Sequence, residues 1–356
     1  MNSMKRYRNG KLTRWTLWVA IVVILFSIVM AKKTTKKPKI VIKAKHLQMC
    51  SGKPSLKTKK DMTMLTWLIE STGEVSLLST NSPQHQAACW MLHVDTKQSR
   101  GRSKDLFLQR YSLTTLYVSS TKSNTTTWDW PLAADDPSAE KVHGHWGSAK
   151  HHECQWYGVT CDTWSKKVAA LNLGFLKLDG ILPRELFLLS QLRELDLHAN
   201  DFQGVIPTKM LDSLDKLEFF GLHMNGFFGS IPQEITGMKN LKELVLFGNY
   251  LASTIPTHLA QLSKLERIDL YANTLEGKIP THLGRLKHLK YLDLHDNDLT
   301  GDMPEEICAL KLDELIADCL GPRAEIQCEC CTICCKGQMD GTLVRKCVDV
   351  KTGKEV

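Results

Sequence analysis

Between Val168 and Asp318 the apolar and polar positions repeat one pattern about six times. The clearest copy is LRELDLHANDFQGVIP, from Leu192 to Pro207. The same skeleton returns from Leu217, Leu241, Leu265 and Leu289, and Asn200, Asn225, Asn249, Asn273 and Asn297 mark it at spacings of 25, 24, 24 and 24. A first copy, VAALNLGFLKLDGILP, has Leu176 in the asparagine place, and a truncated copy, LDELIADC, ends the series. One such unit cannot bury its own apolar face, so the period predicts a stacked solenoid.

Each position has a physical task. Paired leucines such as Leu195 and Leu197 alternate in a short strand and point inward, leaving the residues between them to face out. The asparagine amide serves backbone groups of a buried turn. Gly204, Gly229, Gly277 and Gly301 allow a tight bend, and the Ile-Pro pair starts the convex side. Ser253 and Met303 are single lapses from this pattern.

Before the repeats, residues 61–120 read as helical. Met62, Leu65, Leu68 and Ile69 share one face, and Pro83 stands near a helix start. Leu106, Phe107, Tyr111, Leu113, Leu116 and Tyr117 follow a start signal at Ser103–Asp105. These helices are expected to cover the open apolar end of the stack. Trp15–Ala31 is uncharged and almost wholly apolar; at ~1.5 Å per residue it measures about 26 Å, close to the hydrocarbon thickness. A signal-anchor is the expectation, and a signal peptide cut after Ala31 is the alternative.

Charge adds segregation. The net +8 conceals a basic arm, because residues 1–60 hold 16 Lys/Arg and no Asp/Glu, leaving 30 basic against 38 acidic residues in the rest. Nucleic-acid binding by the folded part is therefore not indicated. Five basic residues precede the apolar run and eleven follow it before Asp61, which alone would place the repeats in the cytosol. Twelve cysteines, eight of them beyond residue 307, argue for an oxidising compartment. We give the cysteines more weight. Asn124 heads the usable glycosylation sequon, since Asn81-Ser82 runs into Pro83.

The skeleton LxxLxLxxNxLxGxIP resembles the plant-type leucine-rich repeat of polygalacturonase-inhibiting proteins and receptor-like kinase ectodomains. That resemblance implies an α/β solenoid: a right-handed superhelix with short parallel strands on its concave face. The sequence CQWYGVTC from Cys154 to Cys161 resembles the cap that precedes such repeats, which implies a Cys154–Cys161 disulfide. Together with the apolar run, the arrangement is similar to the single-pass leucine-rich-repeat proteins of diatoms. The expected order is a basic tail (1–14), a span (15–31), a polybasic stalk (32–60), a helical region with N-terminal cap (61–167), repeats (168–318) and a cysteine-rich cap (319–356).

Cys308, Cys319, Cys328, Cys330, Cys331, Cys334 and Cys335, with Cys347, are dense enough to consider zinc. However, the neighbouring pairs Cys330–Cys331 and Cys334–Cys335 crowd a tetrahedral arrangement, so disulfides are expected and no metal or cofactor. Eight cysteines allow 105 pairings, and spacing selects none. The outward strand positions supply the candidate binding stripe: His198, His223, Phe247, Tyr271 and His295 in one row, and Asp196, Asp269 and Asp293 in the next. Rings in a row on a rigid sheet suit a protein or glycan partner. Asp196, His198 and His223 lie on neighbouring strands, but solvated strand faces are the simpler reading. No GxSxG, HExxH or GxxxxGK[ST] occurs, so binding rather than catalysis is the expectation.

Overall fold

The computed structural model describes residues 46, 48–50, 52–53, 55–95, 99, 101–120, 145–320, 325–335 and 347–356, all within the compact unit Ala44–Val356. The expected tail and span (1–31), most of the stalk and Asn124 lie outside the described residues. Among the described residues no helix is long and apolar enough to cross a membrane.

The repeats stack as the period requires. Strands Glu194–Asp196, Phe219–Gly221, Glu243–Val245, Arg267–Asp269, Tyr291–Asp293 and Glu314–Ala317 pair in parallel and in register, Asp196 against Gly221, Val245, Asp269, Asp293 and Ile316 in turn. Val168–Asn172 precedes them, itself paired antiparallel with Val159–Cys161. The inward leucines of every rung join one continuous core. Each contributes about 1.5–3 kcal/mol by leaving water. A second, six-stranded sheet runs alongside from Asp179–Ile181 to Asp298–Leu299, and 3-10 turns such as Gln233–Gly237 and Thr257–Gln261 form the far side.

The asparagines do more than close their own turns. Asn273 accepts from Leu251 N–H (3.0 Å) in the preceding repeat and donates to Leu246 O (3.1 Å) there and to Leu270 O (3.0 Å) in its own. Asn200, Asn225, Asn249 and Asn297 repeat this arrangement. The requirement explains Leu176: the strand before its rung is the antiparallel Val159–Cys161, which presents no turn for an asparagine to satisfy. At the other end Leu320 stands in the asparagine place, and the Asp318 carboxylate accepts from Asp296 N–H (2.6 Å) instead.

The bends follow the glycines: φ is +91° at Gly204, +82° at Gly229, +80° at Gly277 and +97° at Gly301. Ser253 is forced to +69° at the same position.

At the amino end stand helices α1 (Lys59–Thr72), α2 (Glu74–Leu78), α3 (Pro83–His93) and α4 (Lys104–Ser119); α4 packs on the first repeat, and α1 and α3 pack on α4. Thr58, Ser82 and Ser103 cap α1, α3 and α4 through their hydroxyls. The buried face of α1 carries Met64 with Leu65 and Leu68, so Met62 belongs at its edge.

The expected amphipathic cap helix differs more. All ten residues from Phe107 to Leu116 in α4 are buried, because α1 and α3 cover one side and the first repeat the other. Arg110 lies within this layer. Its five N–H groups all have acceptors: Asp95 Oδ2 (2.5 Å) and Oδ1 (3.0 Å), Glu153 Oε2 (3.1 Å), His151 O (3.1 Å) and Ser148 O (3.0 Å). The Trp156 ring stacks on the guanidinium at 4.7 Å.

At the carboxyl end the cysteine-rich cap continues the concave sheet. Ile333–Cys335 adds a parallel strand and Cys347–Asp349 an antiparallel one. Disulfides Cys308–Cys330, Cys319–Cys334, Cys328–Cys331 and Cys335–Cys347 hold it, and Cys154–Cys161 closes the amino cap. Cys50–Cys89, which ties α3 to the chain before α1, has no counterpart in the sequence reading.

Candidate functional site

Parallel register places one outward residue from each rung beside the next. His198, His223, Phe247, Tyr271 and His295 therefore meet, and their rings stack face to face along the sheet as a single pile, with His223 and Phe247 tilted by 32°. Centroids lie 4.6 Å apart for His198–His223, 4.5 Å for His223–Phe247, 4.4 Å for Phe247–Tyr271 and 4.8 Å for Tyr271–His295. These spacings match the ~4.8 Å between strands, so the sheet itself sets them. Phe175 closes the amino end edge-on at 4.7 Å from His198. All five column residues are half-buried. Their faces are spent on each other, and ring edges remain for a partner.

The neighbouring row anchors the pile. His198 Nδ1 lies 2.7 Å from Asp196 Oδ1, and His295 Nδ1 lies 2.5 Å from Asp293 Oδ1. At His223 the corresponding residue is Gly221, and Nδ1 is buried without a hydrogen-bond partner. Burial, then the adjoining His198, bring the His223 pKa down to about 4. A Cβ at Gly221 would sit 2.6 Å from the Phe219 ring, so any side chain there has to displace that ring.

Asp269 instead accepts from Arg267 Nη2 (2.6 Å), whose guanidinium covers the Tyr291 ring at 3.8 Å. Burial pushes Asp269 up to about 6 against the pull of Arg267, with Asp293 adding to the rise. Tyr291 donates to Asp293 Oδ2 (3.2 Å), and burial raises its phenol as well. Asp318, next in the ring column after His295, is also raised to about 6 by burial.

A further row at the strand starts alternates in sign: Arg193, Glu218, Lys242, Glu266 and Lys290. Lys242 and Lys290 each lie 2.7 Å from the glutamate on the rung before. With Asp313 at the same place on the next rung, this row cancels its own charge.

Two groups bring metal-ligand atoms within 4.8 Å of one another: His295 with Cys335 and Cys347, and Cys319 with Cys328 and Cys331. Every one of these cysteines is in a disulfide, and a thiolate is what binds metal. The sequence reading placed the ring column but missed its mutual stacking and the role of Gly221. The absence of aspartate two residues before His223 is the signal that could have marked that histidine as different.

A family description, "Leucine rich repeat", matches residues 239–299. The chain is 36% identical over 107 residues to the LRR receptor-like serine/threonine-protein kinase GSO2 of Arabidopsis thaliana, covering 30% of this chain and 8% of that protein. It is 48% identical over 63 residues to the LRR receptor-like serine/threonine-protein kinase FEI 2 of the same plant, covering 18% and 11%. Of solved structures, PEPR1–AtPEP1 matches with a TM-score of 0.43 and 31% identity, covering 53% of this chain and 29% of that one. The chain thus spans about a tenth of the length of these two curated relatives, and the likeness to them lies in the repeats, not in a kinase.

Proposed function

We propose that this is a binding protein, held at a membrane by residues 15–31, that takes a protein partner on the concave face of its repeats as an adhesion molecule, co-receptor or inhibitor. The observation that carries this reading is the ring column. Leucines and asparagines build the solenoid, and the ring positions are not needed for it. Five successive rungs nevertheless present a half-exposed ring on a rigid sheet, the composition from which binding anchors are made.

A glycan is the weaker occupant. Sugars stack on aromatic faces, and here those faces are covered by neighbouring rings. Six disulfides among the described residues support placing the repeats on the oxidising side of the membrane.

The test is co-purification from intact cells with three forms of the full chain: wild type, Phe247→Ala/Tyr271→Ala on the concave face, and His258→Ser/His282→Ser on the exposed far side. A partner recovered with the first and third and lost with the second supports the reading. Equal recovery with all three contradicts it. A mature chain beginning at Lys32 would replace the anchored form with a secreted inhibitor.

A further inference from the structure

We infer that the partner offers the concave face a lysine- or arginine-rich extended segment, lying across the rungs. This rests on the concave-face reading above and names the chemistry it selects.

Charge on the two rows inside the self-cancelled one is lopsided. Three aspartates, Asp196, Asp269 and Asp293, line one row. Glu194, Glu243 and Glu314 stand in the other, in register with Arg267. Asp196 and Asp293 are held by His198 and His295, Asp269 by the guanidinium that also covers the Tyr291 ring, and Asp269 and Asp293 are buried, so the glutamates supply the accessible charge. Glu194 and Glu243 are half-exposed, Glu314 is exposed, and none of the three has an ion-pair partner among the described residues. At ~4.8 Å per strand, Glu194 and Glu243 lie about 10 Å apart, and Glu243 and Glu314 about 14 Å. An extended chain advances about 3.3 Å per residue, so cations three and four residues apart meet these carboxylates in turn.

The ring pile forms the wall of this acidic lane. Its faces are occupied, so a cation gains nothing over a ring, and the carboxylates must supply the attraction. The ring edges instead receive the aliphatic stems of lysine or arginine. His223, held neutral, adds no opposing charge. An anionic polysaccharide or nucleic acid would be repelled by the same lane.

The experiment uses the full chain and three labelled peptides of equal length, identical except for Lys, Gln or Glu at every third position, read by fluorescence anisotropy. The Lys peptide should bind at least about tenfold tighter than the other two and weaken as salt rises. Glu194→Gln/Glu243→Gln/Glu314→Gln should weaken it about tenfold. Asp201→Asn/Glu276→Gln/Glu305→Gln, which removes as many exposed carboxylates from other faces, should not. Equal affinity for the three peptides, no binding of the Lys peptide, or equal loss in both triple variants overturns the inference. If partner recovery in cells still depends on Phe247 and Tyr271 under any of those outcomes, the concave-face reading stands and the charge selection alone fails.

Discussion

His198 and His223 stack with 4.6 Å between ring centroids and 3° between planes, yet the carboxylate Asp196 anchors the first ring and Gly221 leaves the second without a counterpart. The second ring therefore depends on staying neutral. Its folded pKa of about 4 lies below the usual 6.5. Its contribution to stability is full above pH 6.5 and is lost as pH falls from 6.5 towards 4. Asp269 and Asp318 act oppositely: raised to about 6, they cost stability when ionised, and that cost is relieved as pH falls through 6. Replacing His223→Phe, as at Phe247 on the next rung, removes the first effect and leaves the second. The melting temperature of the variant minus that of the wild type should rise as pH is lowered from 6.5 to 4. A difference that stays flat across that window contradicts the assignment.

Ser253 occupies a left-handed position that its column otherwise gives to glycine. That conformation costs an L-residue about 1–2 kcal/mol, against about 0.5–1 kcal/mol of chain entropy lost by glycine. Ser253→Gly should therefore stabilise the repeats by about 0.5 kcal/mol in urea unfolding. Gly277→Ala should destabilise them, because its Cβ would also meet Thr254 Cγ2 at 3.1 Å.

The asparagine ladder predicts a graded pattern. Asn249→Ala would strand Phe227 N–H inside the stack and take one of two asparagine donors from each of the Leu222 and Leu246 carbonyls, which keep Asn225 and Asn273. At about 1–3 kcal/mol for the one buried group left without a partner, the loss should be about 1–3 kcal/mol. Leu176→Asn, placed where no preceding turn exists, should also destabilise rather than repair the pattern. Denaturation midpoints of the two variants check both signs.

Removing Arg110 leaves Asp95 and Glu153 as buried carboxylates, with Arg102 still paired to Glu153 (2.5 Å). Arg110→Met should cost about 3–5 kcal/mol. Because the network sits between α4 and the amino cap, proteolysis should cut the 59–120 helices of the variant before the repeats. Simultaneous loss of both regions would contradict that local role.

The repeat, its inward leucines and its asparagines were legible because the period records a contact made at every rung. The ring column was legible for the same reason. Arg110 was not: one arginine among helical residues reads as solvated until a second helical layer covers it. The partner of Cys50 was equally hidden, since its pairing with Cys89 depends on how α1 and α3 cross. The two added strands of the carboxyl cap carry no repeat signature, because disulfides position them where leucines do so elsewhere.

The central claim is that the ring column grips a protein. A photo-crosslinking residue placed at position 247, in the column, and separately at position 258, on the far side, tests it most directly in intact cells. The account predicts adducts at 247 that map to a lysine- or arginine-rich stretch of one partner, and none at 258. Adducts of equal yield at both positions, or at 258 alone, would contradict it.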